Sequence, residues 1–368
     1  MGEKLRSILS HRRTLLLIVI IISLLIGFIN LGSPSLERWD EVTNAKVVHS
    51  IVNEGKFELD GNVFTEKPPL CYYMTAIIVK IFGENNLTLR AVSALSFVFI
   101  SILIFIICEK RYSKRLAFIA ALSIAGVRQF MGIGLHIFST HSSRSADLDT
   151  LQILFMLLSF FILSEGKKHK VFLTALFSAL AVLTKGPLGL LIPILYLAFT
   201  MIKKKDISEA VKIIIITILI VLPWHIAMSI YYPDEFLVSY INYHIFSRTL
   251  MPIENHSGST LFYLELILNP FIFFGGIILL NTRKVFKDLT KDIFEFILIL
   301  FPLSIIVLFT IVQTKLAWYL LPIYPFLIFL ISKIIYEKKL FFNIFTNIFY
   351  TLFSFFILKS PFEILIIL

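Results

Sequence analysis

Apolar runs of roughly 18 residues recur along the whole chain between short polar loops, and this repeat constrains the fold more than any other feature. Runs of that length can cross a bilayer as helices. Of the 368 residues, 58% are hydrophobic and 16% are charged, whereas about a quarter of an ordinary soluble domain is charged. The sequence therefore predicts an all-α polytopic membrane protein and excludes a soluble domain with a single anchor.

A span length of about 20 residues predicts about eleven transmembrane helices. The spans are expected at 14–31, 88–108, 116–138, 150–164, 171–184, 187–202, 212–231, 261–280, 293–312, 319–335 and 341–357. The apolar stretch 70–82 is too short for a span, and we interpret it as an interfacial or re-entrant segment. We expect one integral membrane domain over residues 1–368, without a C-terminal soluble domain.

Basic residues are concentrated on one side of the predicted spans. With the N-terminus in the cytoplasm, 22 of the 34 Lys and Arg lie in the N-terminal tail and five cytoplasmic loops. These loops are 109–115, 165–170, 203–212, 282–292 and 333–339. The net charge of +10 therefore reflects loop asymmetry and not a nucleic-acid footprint, and the remaining loops are predicted to face outward.

The first outer loop, 32–87, is the longest and carries the neighbouring acids Asp40 and Glu41. Apolar residues at three- and four-residue steps follow them, which predicts an amphipathic helix on the membrane surface. Asp40 could simply cap that helix, and Asp149 could simply begin another. Several ionisable groups at one level of a membrane favour a functional site in a polar cavity.

Cationic and aromatic side chains gather at the same predicted face. The first group is Lys67, Arg144 and Lys185, and the later outer loop 232–260 with the segment after it adds His244, Arg248, His256, Lys315 and Tyr319. Each cation alone could be a snorkelling anchor. Carboxylates beside cations suit acid–base chemistry next to a phosphate, which predicts transfer chemistry on a phosphate-bearing lipid.

Short motifs follow one another in a characteristic order. They are Trp39-Asp40-Glu41, Glu66-Lys67-Pro68-Pro69-Leu70, Phe82-Gly83 with Arg90, Arg144 with Asp149, Leu183-Thr-Lys-Gly-Pro187, Pro223-Trp224, Tyr240, His244 and Arg248, then Lys315 and Tyr319-Leu-Leu-Pro322. This order resembles the GT-C glycosyltransferases of the aminoarabinose transferase and protein O-mannosyltransferase superfamily. The resemblance implies a GT-C-like bundle and inverting sugar transfer from a polyprenyl phosphate such as undecaprenyl phosphate, without a nucleotide. It also implies a site on the periplasmic face of the bacterial inner membrane.

The resemblance also assigns expected roles to individual residues. Asp40 matches the residue thought to act as catalytic base or to orient the acceptor, and Glu41 and Asp149 are further catalytic candidates. Lys67 and Arg248 match residues that contact the lipid phosphate. Arg144, Lys185 and Lys315, from the same group of cations, are further expected donor-phosphate ligands. Glu66 and His256 resemble positions that can hold a divalent metal ion, although solvated loop histidines are the alternative. His244 and Tyr319 complete the candidate site, and apolar walls could raise the pKa of Asp40.

The acceptor is less well defined than the donor, because Asp40-Glu41 resembles both branches of the superfamily. We expect lipid A or another envelope glycolipid as acceptor, with a protein hydroxyl as the alternative. The expected partners are the donor, the acceptor and membrane lipids, with no nucleic acid. A transporter or flippase of a lipid-linked substrate is the alternative of another class, since charges in membranes also mark translocation pathways. The sequence shows no half-to-half similarity of the kind that secondary transporters have.

Overall fold

The computed structural model describes residues 11–37, 39–132, 140–166, 168–254, 256–264, 266–267 and 282–338. Its main helices are α1 (Arg12–Phe28), α2 (Asp40–Glu54), α3 (Leu70–Phe82), α4 (Asn86–Arg111), α5 (Lys114–Ser123), α6 (Asp149–Glu165), α7 (Lys170–Lys185), α8 (Leu191–Ile202), α9 (Ser208–Tyr231), α10 (Ile293–Ile311) and α11 (Ile323–Glu337). Shorter helical segments lie at Ile124–Gly126, Arg128–Met131, Pro187–Leu190, Pro233–Glu235, Arg248–Leu250, Thr282–Lys287 and Ala317–Leu320, and Phe236–Ser247 is a π-helix.

Within the described residues, α4, α9 and α10 are long and apolar enough to cross a membrane. At 1.5 Å per residue, α4 is about 39 Å long. It packs against α1, α3, α5 and α6, while α7 packs against α6 and α9, and α10 against α8 and α11. The helical membrane architecture is therefore confirmed at this level. The count of eleven spans stays a prediction, because 341–357 and most of 261–280 lie outside the described residues.

Most predicted spans in the described part of the chain match helices whose ends lie within four residues of the predicted bounds. The third span, 116–138, is the exception, since α5 ends at Ser123 and a 3₁₀ turn follows over Ile124–Gly126. The last residue of that turn is a glycine, which is a poor helix former. The prediction of one continuous helix to residue 138 was therefore wrong, and 133–139 lie outside the described residues.

The first outer loop folds as helix, hairpin, helix. Helix α2 is followed by a two-stranded antiparallel hairpin, β1 (Glu58–Leu59) and β2 (Asn62–Val63), and then by α3. Helix α3 has 13 residues and ends before Gly83, whose φ of +85° is a conformation that glycine adopts readily. Its length agrees with the segment that we interpreted as too short to span.

Ion pairs between helix ends form two groups, one at each end of α4. At its C-terminal end, residues of the basic loops pair with one another. These pairs are Arg12–Glu109, Lys110–Glu165, Arg111–Asp292, Lys170–Glu209 and Lys333–Glu295. At its N-terminal end Arg90 pairs with Glu41, beside Asp40. The candidate site therefore lies at the end of the bundle opposite the basic loops.

Candidate active site

Asp40 is the first residue of α2, and its carboxylate contacts two side chains from other segments of the chain. Lys67 Nζ donates to Asp40 Oδ1 at 2.7 Å, and His141 Nε2 lies 3.0 Å from Asp40 Oδ2. The Asp40 side chain is 33% exposed, whereas those of Lys67 and His141 are 12% and 5% exposed. Asp40 is thus the accessible member of a largely buried group, and its contacts are those of an ion pair and not of a helix cap.

His141 connects Asp40 to a second carboxylate. Its Nδ1 lies 2.7 Å from Asp149 Oδ2, and Lys185 Nζ donates to Asp149 Oδ1 at 2.5 Å. We call Lys67, Asp40, His141, Asp149 and Lys185 the Asp40 cluster. With His141 protonated, charges of opposite sign alternate along it from one lysine to the other.

Five separate segments contribute to the Asp40 cluster, one of which is the loop before α6 with His141. Asp40 begins α2, Asp149 begins α6 and Lys185 ends α7. Lys67 lies between the hairpin and α3, directly before two prolines. Because each side chain sits at a helix end or in a loop, the cluster forms only when the outer ends of these helices meet.

The loop before α6 fixes the position of His141. Its backbone N–H donates to Asp147 Oδ2 at 2.6 Å, and its φ is +56°, which non-glycine residues seldom adopt. The imidazole also stacks on the Trp318 ring, with 4.1 Å between centroids and 9° between planes. A strained backbone and a stacked ring together hold the imidazole in one place.

Electrostatics keep the groups of this cluster charged. Burial acts to raise the pKa of Asp40, but attraction to Lys67 and His141 outweighs it and holds that pKa well below its usual value. Burial acts to lower the pKa of His141, but Asp147 and Asp149 raise it to about 9. Burial likewise opposes the charge of Lys67, and the attraction of Asp40 raises its pKa. The direction for Asp40 is opposite to the raised pKa that apolar walls alone could produce.

Glu41 takes a different position from its neighbour. Its oxygens accept from Arg90 Nε and Nη2, both at 2.8 Å, from the Ala146 N–H at 2.6 Å and from the Glu37 N–H at 2.9 Å. Its side chain is 1% exposed. Arg90 also donates to backbone carbonyls of residues 31, 34 and 35. Glu41 therefore ties the start of the first loop to α4, and its catalytic role stays a prediction.

Two of the cations expected at a phosphate bind helix ends instead. Arg144 donates to the carbonyls of Ile26 and Ile29 at the end of α1. Lys315 donates to carbonyls at the end of α10, which are those of Phe309, Thr310 and Val312. A cation at a helix C-terminus stabilises the exposed carbonyls and the helix dipole. A phosphate role for these two residues stays untested.

Arg248 has a free donor in the described part of the chain. It hydrogen-bonds Tyr319 and lies 3.6 Å from Glu254, while its buried Nε has no hydrogen-bond partner among the described residues. Its backbone carbonyl accepts from the Thr314 N–H at 3.1 Å, which joins the later outer loop to the segment after α10. Arg248 is thus an expected phosphate ligand with a buried donor that has no partner among the described residues.

The later loop meets the Asp40 cluster through neighbouring aromatic rings. Trp318, which stacks on His141, directly precedes Tyr319, the partner of Arg248. The His256 ring lies edge-on to Trp318, with centroids 6.4 Å apart. His244 lies in the π-helix, and its side chain is outside the described residues. The structure thus places Arg248, Tyr319 and His256 near the cluster.

Known proteins resemble this chain in both sequence and fold. Residues 66–227 match the dolichyl-phosphate-mannose-protein mannosyltransferase family. The undecaprenyl phosphate-α-4-amino-4-deoxy-L-arabinose arabinosyl transferase of Shewanella sediminis is 24% identical over 266 residues, which are 69% of this chain and 47% of that protein. The crystal structure of ArnT from Cupriavidus metallidurans bound to undecaprenyl phosphate superposes with a TM-score of 0.70 at 19% identity, covering 87% of this chain and 59% of that one.

The predicted GT-C resemblance is confirmed. A second GT-C-like fold, the Archaeoglobus fulgidus oligosaccharyltransferase in complex with Zn and sulfate, superposes with a TM-score of 0.57 at 12% identity. That match covers 92% of this chain and 52% of that one. The chain spans about half to three-fifths of the length of these proteins.

One group of described residues in this GT-C fold lies close enough together to hold a metal ion. Asp40, His141 and Asp147 each offer a ligand atom, and these atoms lie within 4.8 Å of one another. The group does not include Glu66 or His256, which we expected at a metal. The ammonium of Lys67 lies against Asp40, and both imidazole nitrogens face carboxylates. A divalent ion would therefore have to displace Lys67 from Asp40.

Sequence reasoning did not include His141 in the candidate site, although it is the centre of the Asp40 cluster. It also gave no role to Trp318, which packs on it. The available signal was a histidine eight residues before Asp149, at the outer end where the carboxylates were expected. Asp147 was likewise not among the expected site residues, and the structure shows that it holds the loop of His141.

Proposed function

We propose that this chain transfers a sugar from a polyprenyl phosphate to an acceptor in the bacterial envelope. The observation that supports it most directly is the contact between the accessible carboxylate of Asp40 and the ammonium of Lys67. Such a pair offers a proton acceptor and a phosphate ligand at one place. A relative with the same fold binds undecaprenyl phosphate, which supports a donor of that class.

In our proposal, Lys67 and Arg248 bind the donor phosphate. The buried Nε–H of Arg248 has no partner among the described residues, so a hydrogen bond from it to an anion would replace no existing one. Lys67 would exchange Asp40 for a phosphate oxygen, because the two anions compete for one ammonium. Both cations then stabilise the negative charge that grows on the phosphate as the sugar leaves.

The same exchange would activate Asp40. Lys67 is a main cause of the low pKa of Asp40, so its departure toward the phosphate raises that pKa and makes Asp40 a stronger base. An acceptor hydroxyl or amine would give its proton to Asp40 while its oxygen or nitrogen bonds to the anomeric carbon. The bond from that carbon to the phosphate oxygen breaks, and its electron pair stays on the phosphate. Attack from the opposite face inverts the anomeric centre.

The remaining charged residues have supporting roles in this proposal. Glu41 and Arg90 hold the first loop against α4, and Arg144 and Lys315 cap helices. The whole chain would then act as one integral membrane domain of the inner membrane, with its site on the periplasmic face. Lipid A or another glycolipid is the acceptor that we favour, since the named full-length relatives are aminoarabinose transferases. The family match to protein mannosyltransferases keeps a protein hydroxyl as the alternative acceptor.

The test is mass spectrometry of envelope glycolipids and glycoproteins from cells that carry the gene, lack it or express a variant. Asp40→Asn and Lys67→Met are the test variants. Asp60→Asn and Lys46→Met are matched controls, because Asp60 and Lys46 form an exposed ion pair in the same loop, at 2.9 Å. We expect a fixed mass increment with wild type and with both controls, reduced on the order of 10²-fold or more in the test variants.

The increment identifies the sugar, and the fraction in which it occurs identifies the acceptor. An increment on protein would replace the glycolipid with a protein acceptor. No increment in any fraction, together with flux of a lipid-linked sugar in proteoliposomes, would replace the transferase with a transporter. Test variants that modify the acceptor as fast as the controls would remove Asp40 and Lys67 from the mechanism.

A further inference from the structure

His141 joins the two carboxylates that the proposed reaction places at the site. Its two ring nitrogens lie 3.0 Å from Asp40 and 2.7 Å from Asp149. Ionised carboxylates only accept hydrogen bonds, so both nitrogens must donate. An imidazole in this arrangement has no free lone pair and cannot itself serve as a base or nucleophile. Its geometry is that of a group that orients other groups.

The position of the imidazole is fixed from three directions. Trp318 stacks flat on its face, the two carboxylates hold its edges, and Asp147 holds its backbone N–H. The side chain of His141 is 5% exposed, so solvent does not compete for these contacts. A donor fixed in this way restricts the rotation of any side chain that binds it.

The two carboxylate oxygens of Asp40 have different hydrogen-bond partners. Oδ2 faces the fixed imidazole, whereas Oδ1 faces Lys67, whose long side chain can move. When Lys67 leaves for a phosphate, Oδ1 becomes available while Oδ2 stays held. The carboxylate then keeps its orientation at the moment when it must receive a proton.

We propose that His141 is a positioning residue of the transfer reaction, holding Asp40 Oδ2 so that Oδ1 faces the acceptor, with Trp318 and Asp149 fixing the imidazole. The assignment rests on the proposed function and adds to it a residue that acts only through Asp40. It therefore predicts a loss in the rate of transfer, no loss in donor affinity, and no effect once Asp40 has been removed.

The experiment measures two quantities on the full chain. The first is the initial rate at which the modified acceptor accumulates in cells after expression is induced, by mass spectrometry. The second is the Kd of the purified protein for undecaprenyl phosphate in detergent. The variants are His141→Gln, Asp40→Asn and the double variant, with His49→Gln as matched control. His49 is an exposed histidine that also contacts a carboxylate, that of Glu84 at 2.9 Å.

We expect His141→Gln to slow transfer on the order of 10²-fold, the loss that a misplacement of about 1 Å can cause. Its Kd should stay within about threefold of wild type, and His49→Gln should transfer within about twofold of it. The double variant should be no slower than Asp40→Asn alone. Because glutamine keeps an N–H donor at similar volume, this variant preserves packing better than alanine would.

Three outcomes would overturn the assignment. A wild-type rate in His141→Gln, a weakened Kd that accounts for the slower transfer, or a double variant slowed by the product of the single effects would each show that His141 does not act through Asp40. Absence of transfer in wild-type cells would instead refute the proposed function, and the assignment with it. The wild-type arm thus separates the two failures.

Discussion

Loss of Arg90 is expected to destabilise the protein far more than loss of an exposed cation in the same region. Arg90 and Glu41 form a buried pair, with side chains 4% and 1% exposed. Arg90→Met removes two of the four hydrogen bonds that Glu41 accepts and leaves its charge buried. Breaking a buried pair by removing one partner costs about 3–5 kcal/mol.

The measurement is the free energy of unfolding in mixed detergent micelles, from an SDS titration followed by circular dichroism. The matched control is Lys46→Met, which breaks an exposed pair with Asp60 and should cost about 0.2–1 kcal/mol. Adding Glu41→Gln to Arg90→Met should recover at least about 1 kcal/mol, because the unpaired charge is then gone.

The two single variants should therefore differ by about 2 kcal/mol or more. Equal losses in Arg90→Met and Lys46→Met would refute the view that Glu41 anchors the first loop. A double variant that is less stable than Arg90→Met would refute the specific reason, since the cost would then come from lost contacts and not from an unpaired charge. Either result would favour the expected catalytic role of Glu41 over the anchoring role.

Three further predictions concern the cations and His141. Lys315→Met should lower the free energy of unfolding by about 1 kcal/mol without changing the Kd for undecaprenyl phosphate, whereas Arg248→Met should weaken that Kd at least about tenfold, and the reverse pattern would make Lys315 the phosphate ligand. Lys67→Met should increase the affinity for Zn²⁺ in isothermal titration calorimetry, because ammonium and metal compete for Asp40; equal affinity in wild type would contradict this. The pKa of His141 is raised from 6.5 to about 9 in the folded protein, so its stabilising contribution is complete below pH 6.5 and is lost as the pH rises through 9. The unfolding temperature should therefore fall between pH 6.5 and 9 more in wild type than in His141→Gln.

Hydrophobic runs and helix-breaking residues predicted much of the described fold. The bounds of α6 and α7 each lie one residue from the predicted spans, because apolar segments end where charged residues begin. The break after Ser123 was missed, since the residues that follow remain apolar and only the backbone departs from the α-helix. Hydropathy reports which residues avoid water, and it does not report where a helix stops inside the bundle.

The candidate site was predicted less completely than the helices. Asp40, Lys67, Asp149 and Lys185 were expected at one face, and the structure brings all four together. His141 was missed because its role depends on contacts with residues distant in sequence, 101 positions away for Asp40. Sequence patterns place a residue on an element, whereas the orientation of two elements decides which side chains touch.

Because the orientation of the elements decides which side chains touch, adjacent residues of the same type can have different partners in this protein. Asp40 and Glu41 are adjacent acids at the start of α2, yet Asp40 is 33% exposed and pairs with a lysine, whereas Glu41 is buried and pairs with an arginine that three carbonyls also hold. A carboxylate can accept a substrate proton only if an oxygen can be released. Lys67 can release Asp40 because a phosphate offers its ammonium an equivalent partner, whereas Arg90 cannot leave Glu41 without exposing a buried charge. In the proposed reaction, the partner of each acid, more than the identity of the acid, would therefore decide that Asp40 and not Glu41 acts as the base.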